Sequence, residues 1–252
     1  MTTVVITGVA EGLGRTVAAM FARQGARVFG CDVDDGALTS LATDLPEVIA
    51  KRADVSDPAD VDAFFRMIGQ HTDAVDVLVN NVGIAGPRAP LEEVTLAEWQ
   101  QSLQTNLTGA FLCIRQVLSG MKTRHHGSII NVSTGSVRTL PPCRSPYVVS
   151  KGALESLTRT LAREVGPFGV RCNAIQPGMM DNARLMRVLT RVAQQSGKTL
   201  QDVEAEQLQF VSTRSKVQMS EVAAMVLFLA SDAARNITGQ IIGVDGGIEW
   251  EA

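Results

Sequence analysis

Apolar residues arrive in this chain in short, nearly unbroken runs, separated by longer stretches in which they recur every three or four positions. The runs are TVVITG from Thr3, ARVFGCD from Ala26, VIAKRADV from Val48, VDVLVNN from Val75, GSIINVS from Gly127, VRCNAIQPG from Val170 and GQIIGVDGG from Gly239. Short runs rich in β-branched residues predict strands. The stretches between them predict helices; in GRTVAAMFARQGA, for instance, Val17, Met20, Phe21 and the aliphatic stem of Gln24 share one face. Strands alternating with helices imply right-handed βαβ units. The predicted fold is therefore α/β and Rossmann-like, a doubly wound parallel sheet of about seven strands with helices on both faces.

The alternation is interrupted once, between Met179 and Lys216, where two helix-like pieces, ARLMRVLTRVAQQ and LQDVEAEQLQF, are separated by SGK. An insertion after a strand end is a common form for a substrate-covering lid, and residues 179–216 are assigned that role. No internal repeat, low-complexity tract or Pro/Gly/Ser linker divides the chain, so one domain is expected over residues 1–252. The longest apolar run, Val222 to Ala230, is about half of the roughly 20 residues needed to cross a bilayer and reads as a buried helix.

Composition narrows the function. A chain of 252 residues buries most of its surface without staples. The charged fraction is 19% and the net charge −3, so there is no electrostatic footprint for nucleic acid or an anionic membrane. Cys31, Cys113, Cys143 and Cys172 lie far apart with no CxxC pair, which fits free thiols in a reducing compartment. The N-terminus lacks the basic and long apolar regions of a signal peptide, and the expected location is cytoplasmic.

The first predicted strand runs into TGVAEGLG, with glycines at 8, 12 and 14. Glycine is needed where a strand turns sharply into a helix whose N-terminus receives a pyrophosphate, because a Cβ would block the turn or hold the backbone away. Asp32 follows Gly8 by 24 residues at the end of the second strand. A carboxylate there accepts from the hydroxyls of an adenosine ribose and repels a 2′-phosphate. Glu11 stands where a base would hold that phosphate, and neither Val33 nor Asp34 supplies a positive charge. The expected cofactor is NAD rather than NADP.

With these residues in place the chain resembles the short-chain dehydrogenase/reductase family over nearly its whole length. TGVAEGLG resembles the cofactor turn, ADVSD (with Asp54 and Val55) the segment beside the adenine, and NNVG (Asn81, Val82, Gly83) the strand end that flanks the dinucleotide. QTNLTGAF with Asn106, YVVSK with Tyr147 and Lys151, NAIQPG and VDGG complete the series. The resemblance implies that NAD contacts Gly8, Glu11, Gly12, Leu13, Gly14, Asp32, Asp54, Val55, Asn81, Val82, Gly83, Tyr147, Lys151, Pro177, Gly178 and Met180. It also implies that Lys151 binds the nicotinamide ribose, that Asn106 holds a water relaying protons to Lys151, and that the chain forms a homo-oligomer, dimer or tetramer. LTGAFLCIRQVLSGM and SKGALESLTRTLARE offer apolar faces for that pairing.

A tyrosine and a lysine at i and i+4 lie on one helix face. A free phenol keeps its proton up to about pH 10, and a nearby ammonium favours the phenolate, so this pair suits acid/base work on an alcohol or ketone. The donor to the substrate oxygen is a serine 13 residues before the tyrosine in the family; here that position is Thr134. Threonine keeps the hydroxyl but adds a methyl that stiffens χ1. Ser136 is the reserve, and Ser133 ranks third because strand alternation turns it to the opposite face.

Arg144, three residues before the tyrosine, and Arg138 in the same loop could clamp an anionic substrate group, although a solvated loop arginine is the plainer assignment. His125 and His126 lack acidic or cysteine neighbours, so no metal is expected. Asn182 stands where the family often has a threonine facing the nicotinamide amide. The expectation is hydride transfer between NAD(H) and a secondary alcohol or ketone; the alternatives are an NADPH-type ketoreductase acting on carrier-bound substrates and a non-catalytic NAD-binding sensor.

Overall fold

A computed structural model of the chain describes residues 1–248; the last four residues of the expected domain lie outside the described residues. The element order is β1 (Thr3–Thr7), α1 (Gly12–Arg23), β2 (Arg27–Asp32), α2 (Asp35–Asp44), β3 (Val48–Arg52), α3 (Pro58–Gly69) and β4 (Val77–Asn80). It continues with α4 (Leu96–Leu103), α5 (Gly109–Arg124), β5 (Gly127–Val132), α6 (Ser136–Thr139), α7 (Ser145–Val165), β6 (Val170–Pro177), α8 (Ala183–Ser196), α9 (Leu200–Leu208), α10 (Met219–Ala230) and β7 (Ile241–Val244). Each predicted apolar run supplies one strand. All seven strands pair in parallel in the order β3-β2-β1-β4-β5-β6-β7, so the sheet reverses its direction of growth between β1 and β4. In an open α/β sheet that reversal opens the crevice where ligands bind, outside the carboxyl ends of the strands.

The period of two along each strand divides the core into two layers. Val4, Ile6, Val79 and Ile130 face α1 and α10, through Val17, Phe21, Val222 and Val226. Val5, Phe29, Leu78 and Ile129 face α3, α5 and α7, through Phe64, Val117 and Leu161. The predicted apolar face of α1 holds at Val17, Met20 and Phe21 but not at Gln24, which is exposed. The helix ends at Arg23 and the chain turns through Gly25 at φ +76°, so Gln24 leaves the packed face, while Ala18, buried beside Val17, widens it on the other side.

The 179–216 segment folds as the two expected helices, α8 and α9, with Gly197 between them at φ +68°. They build a small core of their own from Leu189, Ala193 and Val203. The segment is rooted at both ends: Asp181 N–H donates to the Val217 carbonyl (2.9 Å), and Ser212 and Thr213 N–H donate to the carbonyls of Gly247 (3.1 Å) and Gly246 (3.0 Å). Lys216 joins these roots by ion pairs to Asp181 and Glu204, both 3.0 Å. The pairing raises the Lys216 pKa and lowers that of Asp181. The Val222–Ala230 run lies in α10, and no helix among the described residues is long and apolar enough to cross a membrane.

Candidate active site

The site grows from the end of β1. Gly8 and Val9 N–H donate to the Cys31 carbonyl (2.8 and 3.1 Å), which lays the glycine turn over the end of β2. Below it, Thr7 Oγ1 accepts from the backbone N–H groups of Asn81 (3.0 Å) and Val82 (3.2 Å), and Asn81 Nδ2 donates to the Thr7 and Gly8 carbonyls, both at 3.0 Å. Asn81 thus braces the turn from the adjacent strand end. Thr7, which sequence reasoning did not single out, joins the two; its signal was its place between an apolar strand and the first glycine. At Gly14 the first turn of α1 passes so close that an added Cβ would lie 1.9 Å from the Gly8 carbonyl oxygen. Leu13 buries its side chain in the core, so the face it turns to a ligand is backbone. Glu11 precedes the helix in extended conformation, exposed, its side chain capping nothing.

Asp32 stands at the rim of this turn. Its Oδ2 accepts from Ala10 N–H (3.0 Å), and its Oδ1 accepts from Val33 (2.8 Å) and Asp34 (3.3 Å). Backbone donors from two loops therefore fix the carboxylate, and Oδ2, with one donor, retains accepting capacity. Two arginines near this end pair with acids elsewhere: Arg15 with Asp44, and Arg52 with Asp35 at 3.5 Å. Asp54 holds Ser56 through its backbone N–H (2.8 Å) and hydroxyl (2.7 Å), while buried Val55 packs against Gly109, where a Cβ would come within 2.8 Å of it. A glycine cradle at a helix N-terminus, with a fixed carboxylate across from it, suits a nicotinamide dinucleotide in both shape and donor set.

Tyr147 and Lys151 occupy the first two turns of α7, which Pro146 helps to start. Lys151 is buried, and its Nζ donates to the Val132 carbonyl at 2.7 Å. It passes directly over Gly83, where a Cβ would lie 2.9 Å from Nζ. Asn106 sits in a one-turn π-helical segment, Gln104–Thr108, between α4 and α5. Its Oδ1 accepts from Ile84 N–H (2.7 Å) and its Nδ2 donates to the Ile84 carbonyl (3.0 Å) and Ser150 Oγ (2.9 Å). Ser150 Oγ in turn donates to the Tyr147 carbonyl (2.8 Å). The Asn106 amide fastens the β4 loop onto α7, with its Oδ1 accepting one bond and its Nδ2 donating two. The π-helix and Ser150 left no mark in the residue pattern.

The three hydroxyls separate. β5 ends at Val132, so the alternation argument does not reach Ser133 and Thr134 directly, yet Ser133 N–H still bonds to the Ile175 carbonyl (2.8 Å). Ser133 Oγ donates to Glu155 Oε1 (2.6 Å) inside the protein, while Thr134 Oγ1 and Ser136 Oγ lie 3.3 Å apart and Ser136 N–H donates to Thr134 Oγ1 (3.2 Å). Ser136 opens the short helix α6 where the sequence predicted loop. The Arg144 guanidinium stacks on the Tyr147 ring, 4.6 Å from its centroid. Arg138 instead pairs with Asp245 and donates to the Ile248 carbonyl (2.7 Å), tying α6 to the C-terminal segment.

Pro177 ends β6, Gly178 N–H donates to the Val244 carbonyl (3.0 Å), and Met180 bridges to Val217. Asn182 caps α8, its Oδ1 accepting from Leu185 N–H (2.9 Å), which leaves its amide nitrogen as the atom able to meet a carboxamide. His125 closes α5 in a left-handed turn beside Phe168, and no metal-binding cluster exists among the described residues. Burial pushes the Cys113 and Cys172 thiols up to about 12 and raises Cys31 also, whereas Cys143 is exposed.

Comparisons with known proteins agree with this geometry. A family model described as enoyl-(acyl carrier protein) reductase matches residues 8–249. The chain is 33% identical over 246 residues to a cis-4-hydroxycyclohexanecarboxylate dehydrogenase of Sinomonas cyclohexanicum, covering 96% of this chain and 94% of that one. Among solved structures it is similar to an actinorhodin polyketide ketoreductase with NADPH (TM-score 0.93, 28% identity, 98% and 97% of the two chains). It is also similar to an NAD⁺-bound xylitol dehydrogenase (TM-score 0.90, 27% identity, 98% of each chain). The chain belongs to the short-chain dehydrogenase/reductase family, oxidoreductases that work on alcohols and ketones by nicotinamide-linked hydride transfer.

Proposed function

We propose that this protein is an NAD-dependent dehydrogenase that interconverts a secondary alcohol and its ketone, with Tyr147 as the acid/base. The observation that carries the reading is Lys151: a buried lysine one helical turn from Tyr147, its amine turned to the Val132 carbonyl beside Gly83. Burying a lysine costs free energy unless its charge has a use; its amine is held by the Val132 carbonyl, and we assign its charge to favouring the phenolate of Tyr147. When bound, NAD accepts the hydride from the carbinol carbon, and NADH returns it. Tyr147 takes the hydroxyl proton during oxidation and gives it back during reduction. Thr134, with Ser136 beside it, donates to the substrate oxygen, and Gly8 to Gly14 hold the pyrophosphate.

Asp32 supports NAD over NADP. A 2′-phosphate would meet a carboxylate already fixed by three backbone donors, with Arg15 and Arg52 drawn off to Asp44 and Asp35. The cyclohexane ring named in the Sinomonas relative makes a ring-borne secondary alcohol the first substrate class to screen. We assign residues 179–216 as the substrate-covering lid and the exposed Phe111 and Val149 of α5 and α7 to a homo-oligomer contact, checked by light scattering. The deciding experiment is Tyr147→Phe, which should bind NAD as tightly as wild type and lose turnover across a panel of secondary alcohols. Equal activity in both proteins would refute the catalytic reading; NAD binding without turnover in wild type would favour a sensor.

A further inference from the structure

We propose that Glu155, through Ser133, is a positioning residue that sets Lys151 against Tyr147. The proposal rests on the reading of Tyr147 as the acid/base. Glu155 lies one turn beyond Lys151 on the inner face of α7, only 4% exposed. A carboxyl group so deep needs partners, and its Oε1 has two: the Ser133 hydroxyl at 2.6 Å and Gln176 Nε2 at 2.7 Å. Ser133 and Gln176 are buried as well, at 4% and 7%.

Their places in the chain give the cluster its purpose. Ser133 lies between Val132, whose carbonyl receives the Lys151 amine, and Thr134, whose hydroxyl lies 3.3 Å from that of Ser136. Gln176 immediately precedes Pro177, whose carbonyl accepts from Gly135 N–H (3.2 Å). Lys151 and Glu155 therefore grip two consecutive residues at the end of β5, one by its carbonyl and one by its side chain. Beyond Val132 only two backbone bonds continue toward β6, from Ser133 N–H to the Ile175 carbonyl (2.8 Å) and from Gly135 N–H to the Pro177 carbonyl (3.2 Å), so the side-chain anchors reinforce a stretch that the backbone holds thinly. If the anchor is released, the Val132 carbonyl can move, Lys151 follows its acceptor, and the ammonium recedes from the phenol it influences.

The chain contains a single tyrosine, so phenolate difference absorbance titrates Tyr147 alone and needs no substrate. The experiment compares wild type, Ser133→Ala, Glu155→Leu and Glu155→Gln, each saturated with NAD, with circular dichroism as the folding control. Ser133→Ala and Glu155→Leu should raise the Tyr147 midpoint by about half a unit or more, while Glu155→Gln, whose amide oxygen still accepts from Ser133, should stay closer to wild type than Glu155→Leu. A role limited to stability would lower the melting temperature and leave the midpoint in place. Unmoved midpoints in folded Ser133→Ala and Glu155→Leu overturn the proposal, as does a Gln variant no better than Leu. Should Glu155→Leu not fold, Ser133→Ala decides alone, since it removes one oxygen and keeps Glu155 bonded to Gln176. A wild-type midpoint at the ordinary value of about 10 sinks the acid/base reading and the clamp together, whereas a depressed midpoint indifferent to the variants sinks only the clamp.

Discussion

Gly14→Ala tests the cofactor turn without a substrate. The added Cβ would lie 1.9 Å from the Gly8 carbonyl oxygen and 2.8 Å from Asn81 Nδ2. Carbon–oxygen contacts settle near 3.3 Å, so helix and turn must separate by roughly 1.4 Å. Neither side yields readily. The Gly8 carbonyl is held by Asn81, its N–H by Cys31, and α1 is keyed into the core by Val17, Ala18 and Phe21. Overpacking against backbone falls at the upper end of the usual 1–3 kcal/mol, or about 4–12 °C in melting temperature for a chain of this size. Displacing the first-turn amides by that distance should also weaken NAD binding at least about tenfold, roughly 1.4 kcal/mol. Gly12→Ala is the control for stability alone: its Cβ meets no protein atom within 4 Å and costs the left-handed backbone, φ +54°, about 1 kcal/mol, while its NAD affinity is not compared because Gly12 belongs to the proposed cradle itself. Differential scanning fluorimetry and titration calorimetry with NAD read both effects. If Gly14→Ala melts within about 2 °C of wild type and binds NAD equally, the close approach is not what holds the turn.

Other expectations follow from the same geometry. Thr134→Val should lower kcat by about 10²-fold with little change in NAD affinity, and Ser136→Ala by less; the reverse order would make Ser136 the donor. Asp32→Ala should narrow the NAD-to-NADP preference at least about tenfold, and measured wild-type affinity for NADP equal to that for NAD would overturn the assignment. Burial raises the Cys31, Cys113 and Cys172 thiols, the latter two to about 12, so a thiol reagent near neutral pH should modify Cys143 alone until the chain unfolds; rapid reaction of a second thiol would contradict the packing. Asn106→Ala removes three side-chain hydrogen bonds between the β4 loop and α7 and should destabilise the fold by about 2–4 kcal/mol, measured by urea unfolding, more than Ser136→Ala does.

The residue pattern alone determined the strands and their number, the helices between them, the glycine turn with Asp32 beyond it, and the shared face of Tyr147 and Lys151. Each depends on spacing within one element or across one βαβ unit, which local periodicity encodes. Tertiary contacts decided the rest. The bond from Ser133 to Glu155 spans 22 residues and shows which hydroxyl is taken up inside the protein, after β5 has already ended. Asn106 reaches Ile84, 22 residues back, and Ser150, 44 residues on, and no letter near Asn106 foretells either partner. Arg138 looked equal to Arg144 in the sequence until Asp245, 107 residues away, claimed it. Side chains of one type are interchangeable in a linear pattern; burial then requires each polar group to find its own partner, and only the folded chain brings those partners within reach.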